Sequence, residues 1–261
     1  MRKIVSKAIV IVSLLSTFSF IGSSSSIFAN SGSNSEPLNN RYVIESVNGK
    51  EVINDTKERV YISSPVSADG TPVPLQEYLE ILEYSEIMEK QVQESQTVTE
   101  KFTESDQSLV APMAIYTLSR YEEDLSWKTT GSKVQVSASV DCPPYADEGC
   151  PLTSEIQHTY TESFSANVEG GWKDYIRGAF GFSWGKSITN IATYQLPVEK
   201  GRTGYMAFRP WIQYTRGVVI TDWYNNGTKF GTDTSAMVYS NAAVKLANGY
   251  ADGIFSIENL Y

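Results

Sequence analysis

Hydrophobic and polar residues alternate at every second position over much of the second half of the chain. In GAFGFSWGKSITNIATYQLPV, residues 178–198, the even positions are mostly bulky and the odd positions mostly Gly, Ala, Ser or Thr. KVQVSASVDC (133–142) and HTYTESFSANVE (158–169) show the same period, and TGYMAFRPWIQY and GVVITDWY continue it. Because successive strand side chains point to opposite faces, we expect an antiparallel β-sandwich or elongated β domain over about residues 115–261.

The first part of the chain predicts a smaller α+β segment, residues 30–96. RYVIESVNGKEVI places β-branched residues on both sides of Asn48-Gly49, a dipeptide that favours a tight hairpin turn. LQEYLEILEYSEIMEKQVQES, residues 75–95, has apolar residues near helical spacing and predicts one amphipathic helix. Residues 97–114 lack a period and are interpreted as a linker.

The alternating segments on both sides of residue 170 predict a central hairpin, residues 160–188. If paired positions sum to 348, Phe164 opposes Trp184, Tyr160 opposes Ile188, and the acid Glu162 lies opposite Lys186. A shift of one residue would oppose bulky and small faces, so the pattern selects this register. The second arm runs to Val198, which is long for one strand, so we expect either a bend at Asn190 or an elongated domain.

The order of elements in residues 133–220 resembles that of aerolysin and ε-toxin type β-pore-forming proteins, and of small secreted proteins of Gram-positive bacteria. The resemblance depends on the two Ser/Thr-rich alternating arms, the amphipathic tip EGGWKDYIRGA and the turn within LPVEKGRTGYMAFRPW. It implies a membrane-inserting hairpin and an oligomeric pore. The bulky residues that would contact a membrane or a partner are Phe164, Val168, Trp172, Tyr175, Phe180, Phe182 and Trp184.

The first 29 residues have the composition of a secretory signal peptide. Three basic residues precede an apolar run of 14 residues, which is too short to span a bilayer, and small residues follow it. We expect cleavage near Ala29 and a secreted protein. Loss of Arg2, Lys3 and Lys7 changes the net charge from −9 to −12, a surface that repels nucleic acid.

Cys142 and Cys150 are the two cysteines of the chain. In an exported protein their short separation predicts a disulfide worth about 2.5 kcal/mol in the chain-entropy model. Together with His158 they would supply only three soft ligands without a recognised zinc spacing, so we expect no metal site. No nucleotide, haem or other cofactor motif is present in the sequence.

Catalytic signatures are weak. His158 is the single histidine and no nucleophile elbow surrounds a serine, so a structural role is favoured. A glycan hydrolase would need two carboxylates across a groove. The acids available for it are Glu122, Glu123, Asp124, Asp141, Asp147, Glu148 and Asp222.

The surplus of aromatic residues favours binding instead. Trp and Tyr combine a large apolar area with a polar end and are enriched at binding surfaces. The candidate binding aromatics are Tyr205, Trp211, Tyr214 and Trp223. The main hypothesis is therefore a secreted, non-enzymatic protein that binds a cell-surface, lipid or glycan ligand; the alternatives are an aerolysin-like pore, which alone would require oligomers, and a glycan hydrolase.

Overall fold

The fold is mainly β, and fifteen strands and two α-helices dominate the residues described by the computed structural model, 41–95, 115–154, 156–190 and 195–261. The first elements are β1 Tyr42–Val47, β2 Lys50–Asp55, β3 Val60–Ser67, α1 Leu75–Ser95, β4 Ile115–Thr130, β5 Val134–Gln135, β6 Val140–Asp141 and β7 Cys150–Leu152. They are followed by β8 Thr159–Thr161, β9 Ser163–Phe164, α2 Trp172–Phe180, β10 Ser187–Thr189, β11 Leu196–Val198, β12 Thr203–Asn225, β13 Thr228–Thr234, β14 Val238–Ala243 and β15 Gly253–Leu260.

The hairpin predicted at Asn48-Gly49 is confirmed, and a second Asn-Gly dipeptide, Asn226-Gly227, forms a turn of the same kind. Asn48 and Gly49 have positive φ, 54° and 78°, between β1 and β2, and Asn226 and Gly227 have φ of 47° and 83° between β12 and β13. Only this left-handed conformation gives a two-residue turn the twist of its strands. The helix predicted for residues 75–95 is α1, and its bounds are those expected.

The strand β12 organises the sheet, because other strands flank it on both sides along most of its 23 residues. On one side β4, β5 and β6 follow one another, and on the other side lie β13, β14 and β15, all antiparallel to it. At about 3.3 Å per residue β12 would be about 70 Å long if straight. The segments TGYMAFRPWIQY and GVVITDWY, which the sequence predicts as separate strands, are one strand in the structure because no turn separates Tyr214 from Gly217.

The strands of the first part of the chain belong to the same large sheet. β3 pairs with both β2 and β15, and α1 packs on this part of the sheet through the buried side chains of Tyr78 and Leu82, against Ile53 and Ile62. In residues 39–261, the α+β segment and the β-rich part therefore share one compact unit. The predicted signal peptide and linker lie outside the described residues.

Two small sheets pack on another hydrophobic core and give the molecule its sandwich-like layering. One pairs β7 with β11 and the other pairs β8 with β10. Leu152, Ile188 and Val198 from these sheets are buried against Phe208 and Phe255 of the large sheet. The predicted disulfide Cys142–Cys150 is present and joins β6 to β7.

The central hairpin is confirmed at its base and wrong beyond it. Thr159–Thr161 pairs with Ser187–Thr189 in the predicted register, with Tyr160 opposite Ile188, and the Glu162 N–H donates to the Lys186 carbonyl at 3.1 Å. Beyond this point Ser163–Phe164 pairs with β14 instead. Residues 172–180 form the helix α2, so the pairs predicted for Val168 with Phe180 and for Ala166 with Phe182 do not form.

The second arm is also not one strand. The chain leaves the small sheet at Asn190, where the sequence predicts a bend. Asn190 is buried, and its side-chain carbonyl accepts a hydrogen bond from the His158 backbone N–H at 2.6 Å. Residues 191–194 lie outside the described residues, and the chain resumes in β11. The strand predicted for residues 133–142 is shorter than expected, because buried Ser137 accepts the Met206 N–H and only β5 and β6 remain as strands.

Candidate functional site

The distal end of β12, with β4 and β13 on either side, is a three-stranded ribbon that exposes large apolar side chains. We call this end the ribbon tip, residues 115–120, 220–225 and 228–234. Ile115, Tyr116, Leu118 and Phe230 are 50, 44, 55 and 60% exposed. Large exposed apolar patches are typical of binding surfaces, so the ribbon tip is the candidate site.

Both faces of the ribbon tip carry aromatic residues because the pleat alternates side chains between them. On one face Tyr116 and Tyr224 are direct strand partners, and their rings stack at 5.1 Å with an interplanar angle of 5°. On the other face the Trp223 indole N–H donates to Asp233 at 2.6 Å. These contacts hold the rings in fixed orientations while leaving part of each exposed.

Phe230 projects from a β-bulge. The pairing of β12 with β13 shifts between Trp223, opposite Gly231, and Tyr224, opposite Lys229, so Phe230 has no partner residue across the ladder. A bulge re-aims the extra side chain and increases the local twist. The bulge therefore explains why a phenylalanine is the most exposed of the apolar residues at the tip.

The charges of the ribbon tip neutralise one another. Asp222 accepts hydrogen bonds from Lys229 at 2.7 Å, Arg120 at 2.8 Å and Thr232 at 2.8 Å. The bond from Lys229 is the main cause that lowers the pKa of Asp222 to about 2. Arg120 is also paired with Glu122. The surface around the exposed apolar residues thus presents paired rather than free charges.

The residues predicted as a membrane or partner hairpin form a small hydrophobic core instead of an exposed apolar face. Ile176 of α2 and Trp184 are buried with Val238 and Ala242 of β14, and Phe164, Val168, Trp172 and Phe180 pack around them. Phe164 and Trp184 are in contact as predicted, with ring centroids 6.3 Å apart. Tyr175 is 42% exposed, and the side chain of Phe182 lies outside the described part of the chain.

A polar clasp holds α2 on this core. The Glu162 carboxylate accepts hydrogen bonds from both Nε and Nη2 of Arg177, the former at 2.9 Å, and from the Trp184 indole N–H at 2.9 Å. Arg177 also pairs with Asp174 one turn earlier in α2. The hydrogen bond from Arg177 is the main cause that lowers the pKa of Glu162. Glu162 thus binds the helix rather than Lys186, its predicted partner.

The four predicted binding aromatics lie along β12 and do not form one site. The Tyr205 hydroxyl donates to buried Glu258 at 2.8 Å, and Trp211 lies under the Lys128 ammonium, which is 4.6 Å from the ring centroid. Tyr214 stacks on Trp127, with centroids 5.3 Å apart. Of the four, only Trp223 belongs to the ribbon tip.

The acids considered for hydrolysis do not line one groove, and Asp222 and Glu122, which lie close together, share Arg120 between them. Apart from Asp222 and Glu122, Asp124 is paired with Arg216 at 2.7 Å, Glu123 accepts from Ser126, and Asp141 accepts from Thr203. A ring nitrogen of His158 lies 3.1 Å from the Gln135 carbonyl. Within the described ranges, no cluster of His, Cys, Asp and Glu could hold a metal ion.

The sequence reasoning missed most of the ribbon tip. In IYTLSRY, residues 115–121, Tyr116 and Leu118 follow the two-residue period, but the segment is too polar and too short for the sequence alone to predict the 16-residue strand β4. The exposed Phe230 could not be found from the two-residue period, since a bulge interrupts that period.

In the described residues no helix is both long and apolar enough to cross a membrane.

Comparison with known proteins gives one family. Residues 114–222 are similar to a family of unknown function (DUF6060). This stretch is less than half of the chain; it begins at the start of β4, includes α2 and ends within the distal half of β12. No curated protein and no solved structure matches the chain.

Proposed function

We propose that the protein is a secreted, non-enzymatic binding protein that attaches to a cell surface through the ribbon tip, with the lipid–water interface as its binding partner. The observation that supports this proposal is the group of exposed side chains Ile115, Tyr116, Leu118 and Phe230 at one end of the ribbon. Secretion is proposed from the N-terminal sequence, and the disulfide Cys142–Cys150 is typical of exported proteins.

The chemistry of the tip favours a lipid interface over a glycan. Aliphatic Ile115 and Leu118 gain free energy from burial but offer nothing to sugar hydroxyls, whereas Tyr and Trp suit the head-group region because they join an apolar ring to a polar end. The expected mature net charge of −12 disfavours anionic lipid head groups. Zwitterionic lipids are therefore the expected partner.

Vesicle co-sedimentation tests the proposal. Burial of a half-exposed apolar side chain contributes about 1 kcal/mol, so the double substitution Leu118→Ser and Phe230→Ser removes about 2 kcal/mol and weakens binding to phosphatidylcholine vesicles about 30-fold. Val43, 41% exposed on β1, provides the matched control Val43→Ser, which should bind as the unmodified protein does. Equal binding by the double variant, or no sedimentation of the unmodified protein, would contradict the proposal.

A pore-forming protein of the aerolysin type is the second candidate. One observation favours it: β8 and β10 already pair in the register that a continuous hairpin over residues 160–188 would use. The segment between them forms α2 and its core, so insertion would require α2 to unfold and the clasp at Glu162 to open. Dye release from the same vesicles, together with detergent-resistant oligomers, would support a pore, and binding without release would exclude it under those conditions.

A further inference from the structure

A cavity of about 80 Å³ lies between α1 and the strands β4 and β12. Its wall combines apolar, hydroxyl and guanidinium groups. Leu82, Met88, Tyr42 and the Trp127 ring contribute apolar surface, and Arg209 contributes a cationic group. The space would hold about five to eight water-sized groups, which is the size of a small organic molecule.

Arg209 is a buried charge without a hydrogen-bonded anion. It lies in β12, where its residue is 9% exposed, and its Nε has no hydrogen-bond partner in the described residues. Among those residues, the buried Glu258 acts on it electrostatically but forms no ion pair with it. Its Oε2 is bound by Lys133 and Tyr205, and its Oε1 has no hydrogen-bond partner in the described residues. A buried guanidinium without a hydrogen-bonded anion is destabilising.

The second cationic side chain in the cavity wall does not need a further anion. The Arg41 guanidinium binds both carboxylate oxygens of Asp55, at 3.0 and 2.8 Å, and approaches Glu58 at 3.5 Å. These contacts satisfy its charge, so Arg209 is the cation of the wall that lacks an ion pair in the described part of the chain. An anion that enters the cavity would therefore find its strongest partner at Arg209.

The other polar groups of the wall offer a ligand little. The indole nitrogen Nε1 of Trp127 is closed to a water-sized group, as is Nε of Arg209, and the Trp127 ring stacks on Tyr214. The hydroxyls of the wall bind one another: Ser85 Oγ lies 2.7 Å from Thr130 Oγ1 and accepts from Thr129 at 2.8 Å. The outer nitrogens of Arg209 are therefore the donors that a ligand in the cavity can use.

The acids of the cavity wall limit the charge of that ligand. Glu86 and Glu89 of α1 also line the cavity, and they would repel a phosphate or another multiply charged anion more than a single negative charge. The apolar surface of Leu82 and Met88 suits a short hydrocarbon tail. We infer that the cavity binds a small aliphatic monocarboxylate, whose carboxylate pairs with the guanidinium of Arg209.

Titration calorimetry with sodium propionate tests this inference, with sodium chloride at equal ionic strength as the salt control. The unmodified protein should bind one propionate, and chloride should give no saturable heat. Because a hydrogen bond to a charged group contributes about 1.5–3 kcal/mol, Arg209→Met should weaken binding at least tenfold. Arg216→Met is the matched control, because Arg216 lies on the same strand but is paired with Asp124 outside the cavity, and it should leave the affinity unchanged.

A second variant decides the question if Arg209→Met does not fold. Arg209→Lys keeps a positive charge at this position but loses the planar guanidinium that binds both oxygens of a carboxylate, so it should fold and bind propionate about fivefold to tenfold more weakly. The inference is overturned if propionate gives no saturable binding to the unmodified protein, if chloride competes equally well, or if both cavity variants keep full affinity. Vesicle binding through the ribbon tip does not depend on Arg209, so failure of either proposal is distinguishable from failure of the other.

Discussion

Replacement of Glu162 by glutamine is expected to destabilise the protein by about 2–3 kcal/mol. The carboxylate is 14% exposed and accepts hydrogen bonds from two nitrogens of Arg177 and one of Trp184. Glutamine keeps one acceptor oxygen, loses the charge and turns an NH₂ group towards donors. Since a hydrogen bond to a charged group contributes about 1.5–3 kcal/mol, loss of at least one such bond gives the expected magnitude.

Urea unfolding at several pH values provides the assay. The lowered pKa of Glu162 means that its stabilisation is present above the ordinary glutamate pKa of about 4.3 and is lost as the pH falls through the lower pKa of the folded protein. The stability difference between Glu162→Gln and the unmodified protein should therefore be largest at neutral pH and narrow at acidic pH. Glu169→Gln, an exposed glutamate just before α2, is the control and should change stability by less than about 0.5 kcal/mol. A difference at Glu162 that is equally small at pH 7, or that does not change with pH, would refute the role of the clasp.

Two further substitutions test the packing around β12. A Cβ atom added at Gly217 would lie 2.2 Å from the Glu122 carbonyl oxygen, whereas one added at Gly231 would lie 3.8 Å from its nearest neighbours. In urea unfolding, Gly217→Ala should therefore lower the free energy of unfolding by at least about 2 kcal/mol, and Gly231→Ala should not lower it. Equal losses in the two variants would argue against the close approach at Gly217. Lys133→Met should cost about 3–5 kcal/mol because it leaves the fully buried Glu258 unpaired. The double variant Lys133→Met with Glu258→Gln should recover more than half of that loss of stability. If the double variant is no more stable than Lys133→Met alone, the unpaired Glu258 charge does not cause the loss.

The central hairpin shows how far the alternation pattern could be trusted. Its base has the predicted register because Tyr160 and Ile188 must both be buried, which excludes a one-residue shift. The pattern failed at the tip because Trp172, Ile176 and Phe180 are spaced four apart. This spacing places residues on one face of a strand and also on one face of a helix, so the sequence alone could not distinguish the two.

Strand length could not be obtained from the period either. The sequence placed the longest strand in residues 180–198, where the structure has short strands and a buried Asn190 at the bend. The longest strand is instead β12, whose two faces are both partly apolar because Phe208 belongs to the core under the small sheets and Trp211 to the core under α1. Long-range packing therefore decides where a strand ends, and a local pattern does not record it.

The candidate sites were predicted only in part, for a similar reason. The aromatic composition of β12 indicates Trp223, which lies at the ribbon tip, but it indicates Tyr205 and Tyr214 equally, and these have partners inside the protein. The one sequence signal for the cavity is Arg209, because an arginine between Phe208 and Pro210 in a strongly apolar strand indicates a buried charge. Residue type predicts what a side chain can bind, but the neighbours that occupy it come from distant parts of the chain.

The position of β12 between two sets of strands also constrains how the chain reaches its native state. Its pairs with β4 join residues that are 81 to 110 positions apart, and β15 is added from the far C-terminal end. Most of the large sheet therefore cannot assemble until both β12 and β15 have been synthesised, and closure of such long loops is slow. Until then the edges of β4 and β12 are available for wrong partners, so assembly of this sheet should be the step at which the protein is most prone to aggregate.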